Sequence, residues 1–393
     1  MSLTRDDILF LQSPIGSKLA ADLTHQNLSQ ATLLPLITQL RQTYTQQQVH
    51  AAVTTAQLRQ KASTKFGEDA PSLLLTDDAL QQASDPYIRA YRSQGVAGLR
   101  VLDVCCGIGT DSIAFARAGA SVHGIDLDKT RIAMAQHNAQ VLGLTITFTV
   151  ADATQGLITE DYDLIFFDPA RRTATGKRIY NIDDYMPPLN LIKQWDGAHI
   201  MVKISPGVDL DQLKDYNATI EFISVDGDLK EAILHQPSTV PYIATMIQKG
   251  KTYQWQNTEI ETPSVAITEP HGWLCEPDAS ILRANLVQHV AQSVDGTMLD
   301  PLIAYFCTAV NPNSEWVRAW KIREWLPFNL KKLKARLRAM DVGTLTVKKR
   351  GSPITPDDLI RKLKLKGTQS ATVVLTRYHD APIAIICDDI LPV

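Results

Sequence analysis

The chain has 393 residues, of which 45% are hydrophobic and 21% charged, and its net charge is −3. This composition is typical of a soluble globular protein, and the length predicts two to four domains. No apolar run approaches the ~18 residues that span a bilayer, and the first residues lack the pattern of a secretion signal, so we expect a cytoplasmic protein with no membrane partner.

The five cysteines show no CxxC pairing. This usage is typical of a reducing compartment and gives no disulfide framework and no zinc site. The sequence also contains neither HExxH nor GxxxxGK[ST]. We therefore predict no metal.

Residues 1–95 are predicted to form an N-terminal helical domain. Apolar residues recur at helical spacing between positions 33 and 40, and a Gln- and Ala-rich stretch continues towards Lys61. Thr76 with the acids Asp77 and Asp78 after it is typical of a helix start, because a hydroxyl cap and early carboxylates stabilise the free amides there.

Residues 96–249 alternate short apolar runs with helical segments, and this alternation predicts a doubly wound α/β sheet. Helices are predicted over 111–118 and 128–142, each followed by a glycine. The seven predicted strands are 99–104, 121–126, 146–152, 163–168, 199–204, 220–225 and 242–247.

Residues 250–393 form the third predicted region. It is irregular as far as residue 296, with possible strands at 252–256 and 264–267, and it ends in two predicted strands at 372–376 and 383–387. Between Lys321 and Lys366 it carries 14 Lys/Arg against four Asp/Glu, whereas the rest of the chain is acidic. Such segregation is typical of a part that binds a polyanion, although a solvated basic face has the same pattern.

The first predicted strand runs into a glycine-containing loop. Asp103 ends the strand, Cys105, Gly107 and Gly109 lie in the loop, and Asp126 ends the next strand nineteen residues after Gly107. Glycines allow backbone to approach a ligand closely, and an acid at the second strand end accepts hydrogen bonds from ribose hydroxyls. The pattern predicts a nucleoside site.

Two ligands compete for this site. A dinucleotide needs a third glycine where Ser112 stands, and Asp111 would repel its pyrophosphate. S-adenosylmethionine carries an ammonium group that Asp103 can bind, and Asp152 is suited to its adenine amine. The sequence favours S-adenosylmethionine, and the predicted donor-binding residues are Asp103, Cys105, Gly107, Gly109, Asp126, Leu127, Asp152 and Ala153.

The segment VLDVCCGIGTDSIAFARAGASVHGIDLDKTRIAMAQHNAQVLGL resembles the first two motifs of class I methyltransferases, especially RNA enzymes of the trimethylguanosine-synthase type. FFDPARR, VKISPG, EPDASILRANL, LDPLIAYF and the basic end are similar to a bacterial family that adds a THUMP-like C-terminal domain. The resemblance implies a Rossmann-like seven-stranded methyltransferase sheet over 96–249, behind the N-terminal helical domain. It also implies a small α+β THUMP-like domain at about 315–393 within the region 250–393.

The fourth predicted strand ends at Asp168-Pro169-Ala170-Arg171. Amino-methyltransferases that resemble this chain carry Asn/Asp/Ser-Pro-Pro-aromatic here, and Asp168 and Pro169 match this pattern. Arg171 does not, but with Arg172 it could bind a phosphate or form ordinary surface ion pairs. Asp168, Pro169 and Arg171 are the predicted catalytic residues. The second proline and the aromatic are missing. Tyr180 is one candidate stacking face, Tyr185 another, and a structural role is open for both.

Two further residue types bear on the chemistry. Lys203 in the fifth predicted strand is a proton acceptor, an acceptor-site charge or, in the interpretation we favour, a lysine that extends to water. Methylation at carbon-5 of a pyrimidine needs a cysteine nucleophile near the fourth strand, and none is predicted there.

The basic end predicts an RNA partner, tRNA or rRNA, because phosphates attract clustered cations. The predicted RNA-binding residues are Lys331, Lys332, Lys334, Lys348, Lys349 and Arg350. The predicted function is an S-adenosylmethionine-dependent methyltransferase acting on an RNA base. The alternatives are a small-molecule or protein methyltransferase and a donor-binding RNA-interaction protein with little turnover.

Overall fold

The computed structural model describes residues 3–171, 176–177, 179–196, 198–256 and 262–388. The chain forms two compact units. The first comprises Met1–Val225, Lys230–Pro241 and Lys249–Thr252, and the second comprises Asp226–Leu229, Tyr242–Gln248 and Tyr253–Val393. The N-terminal helices therefore belong to the same unit as the parallel sheet, and the boundaries at residues 95 and 249 remain a sequence-based prediction.

The N-terminal region is helical, as its periodicity indicates. Hydroxyl caps begin several of these helices: Thr4 and Thr45 each form a capping box, and Thr76 accepts a hydrogen bond from the amide of Ala79. The helices are α1 (Arg5–Gln12), α2 (Pro14–Thr24), α3 (Gln30–Leu40), α4 (Gln46–Phe66), α5 (Asp77–Gln82) and α6 (Pro86–Arg92).

A parallel arrangement forms the centre of the first unit. Its strands are β1 (Arg100–Val104), β2 (Ser121–Asp126), β3 (Thr147–Val150), β4 (Leu164–Phe167) and β5 (His199–Ile204), with helices α7 (Thr110–Arg117) and α8 (Lys129–Val141) between the first three. All four neighbouring pairs among these strands are parallel. Their buried residues, such as Val101, Ile165 and Phe166, form the core beneath the helices.

The larger sheet has nine strands, two more than the sequence predicted. The additional ones are β7 (Asp228–Gln236), which the sequence did not predict, and β9 (Lys251–Gln256), which confirms the possible strand at 252–256; they lie alongside β6 (Thr219–Val225) and β8 (Tyr242–Gln248). The order β3-β2-β1-β4-β5-β7-β6 accounts for the first seven positions, and β7 runs antiparallel to β5.

Strand β7 begins at a tight turn that was not predicted from the sequence. Asp226 and Gly227 separate β6 from β7, and both have positive φ, 49° and 85°. Asp-Gly between two strands is the usual sequence of a type I′ turn, which needs positive φ at both central residues. The dipeptide was therefore a usable signal for a hairpin at this position.

The second unit contains a seven-stranded sheet in the order β11-β12-β10-β13-β16-β15-β14. Its strands are β10 (Trp273–Pro277), β11 (Thr297–Asp300), β12 (Ile303–Thr308), β13 (Val317–Pro327), β14 (Val342–Lys349), β15 (Gln369–Tyr378) and β16 (Ala381–Cys387). Its helices are α9 (Ala279–Arg283), α10 (Val287–Ser293), α11 (Leu330–Ala339) and α12 (Pro356–Leu363). Both predicted terminal strands are present, whereas residues 264–267 form only an isolated bridge, between Ile267 and Met298.

The aromatic residues of the basic stretch belong to strand β13 and the chain just before it. Trp316 and Trp320 are buried, and the Trp325 ring contacts Tyr378 edge-on. These tryptophans therefore pack within the protein. Among the described residues, no helix combines the length and the apolar character that crossing a bilayer requires.

Candidate active site

Three predicted acidic residues lie at the carboxyl edge of neighbouring parallel strands. Asp103 in β1 is in register with Phe166 of β4, and Asp126 is the last residue of β2. Asp168 directly follows β4, and its amide donates to the carbonyl oxygen of Val104 at 3.3 Å. Parallel pairing alone therefore gathers the acids at one edge of the sheet.

The loop between β1 and α7 has the backbone conformation that its glycines allow. Gly107 has φ of +57°, and a Cβ placed there would have no atom within 4 Å, so the loop borders open space at this point. Gly109 has φ of +82°, and a Cβ there would lie 3.1 Å from the Phe148 ring. Gly107 thus leaves room for a ligand, while Gly109 allows the loop to pack closely.

Asp126 fixes the geometry of this loop. Its Oδ2 accepts a hydrogen bond from the amide of Gly107, and its Oδ1 accepts one from the amide of Asp128, both at 2.9 Å. Each carboxylate oxygen retains a free lone pair. Leu127, the next residue, is 70% exposed and places an apolar side chain beside the carboxylate.

Asp103 is buried and accepts a hydrogen bond from the Ser112 hydroxyl. Burial raises its pKa to about 8, and the negative charges of Asp111 and Asp168 act in the same direction. The Ser112 hydrogen bond and the charge of Arg92 lower the pKa but do not offset these effects. Asp103 is therefore protonated at neutral pH in the ligand-free protein.

Asp152 follows β3 and begins a short 3-10 turn. Its Oδ1 accepts hydrogen bonds from the Thr154 amide at 2.9 Å and from the Thr154 hydroxyl at 2.7 Å, and these bonds lower its pKa. Ala153 is buried beside it. One carboxylate oxygen of Asp152 thus caps the turn, and a hydrogen bond from the Gln155 side chain also lowers the Asp152 pKa.

Asp168 is held by two cations. Its Oδ2 lies 2.9 Å from Nζ of Lys203, and its Oδ1 lies 3.6 Å from the Arg171 guanidinium. Burial raises the pKa of Asp168, but the charges of Lys203, Arg171 and Arg92 more than offset it, so the pKa lies below its ordinary value. Asp168 is an ionised carboxylate, and Arg171 is one of its partners. Arg172 lies outside the described residues.

Lys203 belongs to a buried ionic network that the sequence did not reveal. Its ammonium donates to the carbonyl oxygen of Gln82 at 3.3 Å and lies 3.9 Å from Glu231 of β7. Glu231 also pairs with Arg92 of α6 at 2.9 Å and accepts a hydrogen bond from Ser84 at 2.8 Å. The interpretation of Lys203 as a lysine that extends to water is therefore wrong, because its charge is paired inside the protein.

The two tyrosines proposed as stacking faces differ in exposure. Tyr185 is 1% exposed and packs in the core, so it offers no free face. Tyr180 is 66% exposed, and Met186 beside it in the same segment is equally exposed. Met186 pairs with Ala170 in an antiparallel bridge, two residues after Asp168. Met186 is thus an exposed apolar group near the end of β4, and Tyr180 keeps an exposed ring.

Asn138 of α8 connects the donor loop to the N-terminal region. Its side-chain amide donates to the carbonyl oxygens of Ile108 at 3.1 Å and Leu74 at 3.0 Å, and its Oδ1 accepts from the Leu74 amide. Asn138 is buried and satisfied on both sides. Asn138 thus fixes the position of the loop, although it belongs to no sequence motif that we identified.

Comparison with known proteins agrees with this geometry. A family model described as a methyltransferase domain matches residues 101–174, one described as THUMP domain-like matches residues 317–389, and a domain of unknown function matches residues 4–62. An uncharacterised S-adenosylmethionine-dependent methyltransferase of Mycobacterium tuberculosis is 33% identical over 337 residues, which cover 83% of this chain and 92% of the relative. The chain belongs to this family of S-adenosylmethionine-dependent methyltransferases.

The methyl donor predicted from the sequence is thereby confirmed, as is the THUMP-like C-terminal region. A solved structure of a putative methyltransferase from Porphyromonas gingivalis W83 matches all of both chains with a TM-score of 0.78 at 19% identity, which confirms the predicted fold class. A 23S rRNA (uracil(1939)-C(5))-methyltransferase of Shewanella amazonensis is 39% identical over 83 residues, 20% of this chain and 19% of that enzyme.

The predicted RNA-binding residues of the methyltransferase fall into two groups. Lys348 pairs with Glu276 and lies 4.6 Å from the Trp320 ring, and Arg350 lies 3.8 Å from Glu276 and 5.2 Å from the Tyr305 ring. Both cations are thus engaged within the second unit. Lys349 donates to the carbonyl oxygen of Ser352 at 3.4 Å.

The second group lies on α11 and α12. Leu333, Leu337 and Leu359 point into the core, which turns the cations of both helices outwards. Lys334 donates to the carbonyl oxygen of Lys362 at 3.3 Å, which ties α12 to α11. No ion pair within the described part of the chain involves Lys331, Lys332, Lys362, Lys364 or Lys366, and all five are exposed, whereas Lys334 is half-buried.

Proposed function

We propose that this protein is a cytoplasmic methyltransferase that modifies an amine nitrogen of an RNA base, in tRNA or rRNA. The observation that carries the proposal is the alignment of Asp103, Asp126 and Asp168 along one edge of the parallel sheet, with Gly107 beside open space. This alignment supports a donor site next to an acceptor site.

The residues at this edge fit S-adenosylmethionine. Asp126 has a free lone pair on each oxygen for the two ribose hydroxyls, and exposed Leu127 offers an apolar face to the adenine. Asp152 and Ala153, at the end of β3, complete the adenine side. Cys105 and Gly109 shape the loop between these groups and Asp103.

Asp103 is suited to the ammonium of the donor. As a protonated acid it is neutral, and an incoming cation favours the ionised form. The charge network around Asp103 and Asp168, to which Asp126 does not belong, contains four carboxyl groups and three cations; they are Asp103, Asp111, Asp168 and Glu231 against Arg92, Arg171 and Lys203. The balance is neutral while Asp103 is protonated, and a donor of net charge +1 restores it when Asp103 ionises.

When bound, S-adenosylmethionine supplies the methyl group of its sulfonium: the acceptor lone pair forms the new N–C bond as the C–S bond breaks, and that bond pair goes to sulfur. Asp168 accepts the N–H of the acceptor and aligns its lone pair. Because Lys203 and Arg171 keep Asp168 a weak base, it orients the amine, and the surplus proton leaves to water after transfer. Pro169 restricts the backbone directly after Asp168.

Three observations support RNA as the substrate. The exposed cations of α11 and α12 form a face suited to phosphates. The region that contains them matches the THUMP domain-like model, and part of the chain is similar to an rRNA methyltransferase. Lys331, Lys332 and Lys334 are the residues we place in this interface, since Lys348 and Arg350 are paired internally.

Methylation at carbon-5 of uracil is disfavoured for this chain. Cys105 lies near the acceptor edge, but burial raises the pKa of its thiol well above 9.0, and Asp126 and Asp168 raise it further. A thiol that stays protonated is a poor nucleophile. Amine methylation needs no such nucleophile.

The test is methyl transfer from labelled S-adenosylmethionine into total RNA of a strain that lacks the gene, followed by nucleoside mass spectrometry. We expect one methylated nucleoside in this RNA, and less incorporation into RNA from the parent strain, whose sites are already modified. The Asp126→Ala variant is the matched negative control.

The other functions give different results in the same reactions. Label in protein or in small molecules, with none in RNA, would contradict the RNA substrate. Donor and RNA binding without label anywhere would identify a binding protein with little turnover.

A further inference from the structure

The ionic network behind Asp168 reaches from the acceptor edge to strand β7 and helix α6. Lys203 contacts Asp168 at 2.9 Å, Gln82 at 3.3 Å and Glu231 at 3.9 Å. Two of these oxygens, those of Asp168 and Gln82, accept hydrogen bonds from the ammonium group, and the more distant Glu231 contributes an ion pair. The Lys203 side chain is 5% exposed, and Arg92 and Glu231 are buried behind it.

Such a network is costly unless every charge is balanced. Each buried ion loses several kcal/mol of hydration, which only close partners restore. Arg92 lies 2.9 Å from Glu231 and 3.5 Å from Asp111, with its guanidinium 4.5 Å from the Phe166 ring. The chain therefore holds Lys203 with partners from α5 and β7 in addition to Asp168, and Arg92 of α6 in turn pairs with Glu231.

We propose that Lys203 is a positioning residue for methyl transfer, which holds Asp168 by Oδ2 and leaves Oδ1 to accept the hydrogen of the acceptor. Glu231 and Arg92 keep Lys203 in place. The inference rests on the proposed function of Asp168. It assigns a role to residues of β5 and β7, two strands that contain none of the predicted donor-binding residues.

The two oxygens of Asp168 are not equivalent. Oδ2 is at hydrogen-bond distance from Lys203, whereas Arg171 lies 3.6 Å from Oδ1, too far for a strong hydrogen bond. One oxygen is thus fixed and the other retains its capacity to accept. A fixed carboxylate loses no rotational freedom when the acceptor binds, which favours alignment.

The charged groups that face Asp168 come from four elements. Lys203 lies on β5, Arg171 on the loop after β4, and Arg92 on α6, and all three lower its pKa. Asp103 on β1 is the facing acid, and its own pKa is raised in part by Asp168. Removing Lys203 leaves burial as the dominant influence, so the Asp168 carboxyl should then titrate at higher pH.

The experiment is a double-mutant cycle in the full chain, with single-turnover methyl transfer to RNA measured from pH 5 to 9. Asp168→Asn and Lys203→Met are each expected to reduce the rate at least tenfold, with donor affinity within about threefold of wild type. The double variant should be no slower than the slower single variant, because Lys203 acts through Asp168. The double variant also leaves no unpaired carboxylate at position 168, so it guards against misfolding of Lys203→Met.

The pH profile separates positioning from a general structural role. In Lys203→Met the rate should acquire an acid limb above pH 5, where wild type stays flat because the pKa of its Asp168 lies below the ordinary value, and Lys203→Arg should remove that limb. Lys65→Met is the matched control, since Nζ of Lys65 donates to the carbonyl oxygens of Leu80 and Ala83 but pairs with no carboxylate in the described structure. It should lower thermal stability without producing an acid limb above pH 5.

If the rate losses of the two single variants add in the double variant, or if Lys203→Met shows no acid limb above pH 5, the inference is overturned. Methyl transfer by wild type would still support the proposed function. If wild type transfers no methyl group to RNA, the proposed function fails, and carbon-13 NMR titration of Asp168 decides about Lys203. A carboxyl pKa equal in wild type and Lys203→Met would then refute the role of Lys203.

Discussion

The two units use clustered charges in opposite ways. At the edge of the parallel sheet, Arg92 and Lys203 are buried and paired with Glu231 and Asp168. On α11 and α12, the cations are mostly exposed, and several form no ion pair among the residues described. The first set is fixed in number and position, whereas the second is free to attract an external polyanion.

The difference follows from hydration. A buried charge loses its water and must find protein partners, so its geometry is rigid and its effects do not depend on salt. An exposed charge keeps its water and acts on partners through a field that salt screens. Glu276 pairs with Lys348 and Arg350 in the second unit, so these two cations behave as paired charges and not as exposed ones.

The largest expected effect is on the donor site. Asp126→Ala should weaken S-adenosylmethionine binding by about 1.5–3 kcal/mol, because hydrogen bonds to a charged group are lost and the Gly107 amide loses its partner. Calorimetry measures this directly. Asp163→Ala is the control, since that carboxylate precedes β4 at the other edge of the sheet and should leave donor affinity within about twofold. Equal affinity of Asp126→Ala and wild type would remove Asp126 from the site.

The next effect is on chemistry. Asp168→Asn keeps the size of the side chain and loses the charge that orients the acceptor, so single-turnover transfer should slow by about tenfold or more, which is ~1.4 kcal/mol of transition-state stabilisation. Donor affinity should change little. A full rate in the Asn variant would reduce Asp168 to a structural cap of its loop.

A smaller, pH-dependent effect should come from Asp103. The donor ammonium favours the ionised carboxylate, so binding releases a proton and donor affinity should rise from pH 6 to 7.5, by at most tenfold per unit. Above this window the donor's own amino group loses its charge. Calorimetry in buffers of different ionisation enthalpy detects the proton, and Asp103→Asn should abolish both signals. A flat profile in wild type would show that Asp103 does not meet the ammonium.

The raised pKa of Asp103 also affects the stability of the fold, which should fall as pH rises, whereas donor affinity should increase. In the donor-free protein Asp103 keeps its proton up to about pH 8, whereas the unfolded chain loses it near 3.8. The folded state thus binds more protons between these values, and its stability should fall as pH rises through them. Asp103→Asn should flatten this part of the stability profile in thermal unfolding experiments, and an unchanged slope would contradict the buried protonated acid.

The smallest effect concerns the exposed set. Replacing Lys331, Lys332 and Lys334 with Gln should reduce the slope of log affinity for RNA against log salt by up to about 2, since each phosphate contact contributes ~0.7 on single strands. Arg336→Gln is the control on the same helix, because Arg336 already pairs with Glu324. An unchanged slope in the triple variant would make the basic face a solvated surface only.

Much of the first unit was predictable because its signals are local in sequence. Short apolar runs that end in Asp103, Asp126 or Asp168 identify both the strands and the edge of the sheet where they end. The glycines of the loop carry their conformational requirement within a few residues. Parallel pairing then brings these ends together without further information.

The features that escaped prediction depend on partners distant in sequence. Lys203 meets Asp168 across 35 positions, and Lys348 meets Glu276 across 72. Strand β7 reads as polar at Lys230 and Glu231, yet Glu231 is buried because Arg92 neutralises it. Hydrophobic periodicity does not detect such a strand, because its buried charge is paired only in the tertiary structure.

The central claim is that buried charges serve the donor and the chemistry, while exposed charges hold the RNA. The most direct measurement is a two-by-two comparison of donor affinity and RNA affinity in Asp126→Ala and in the triple Lys331/Lys332/Lys334→Gln variant. We predict that Asp126→Ala loses at least tenfold in donor affinity and keeps its RNA affinity, and that the triple variant shows the reverse loss. Loss of both affinities in either variant, or RNA affinity unchanged in the triple variant, would contradict the account.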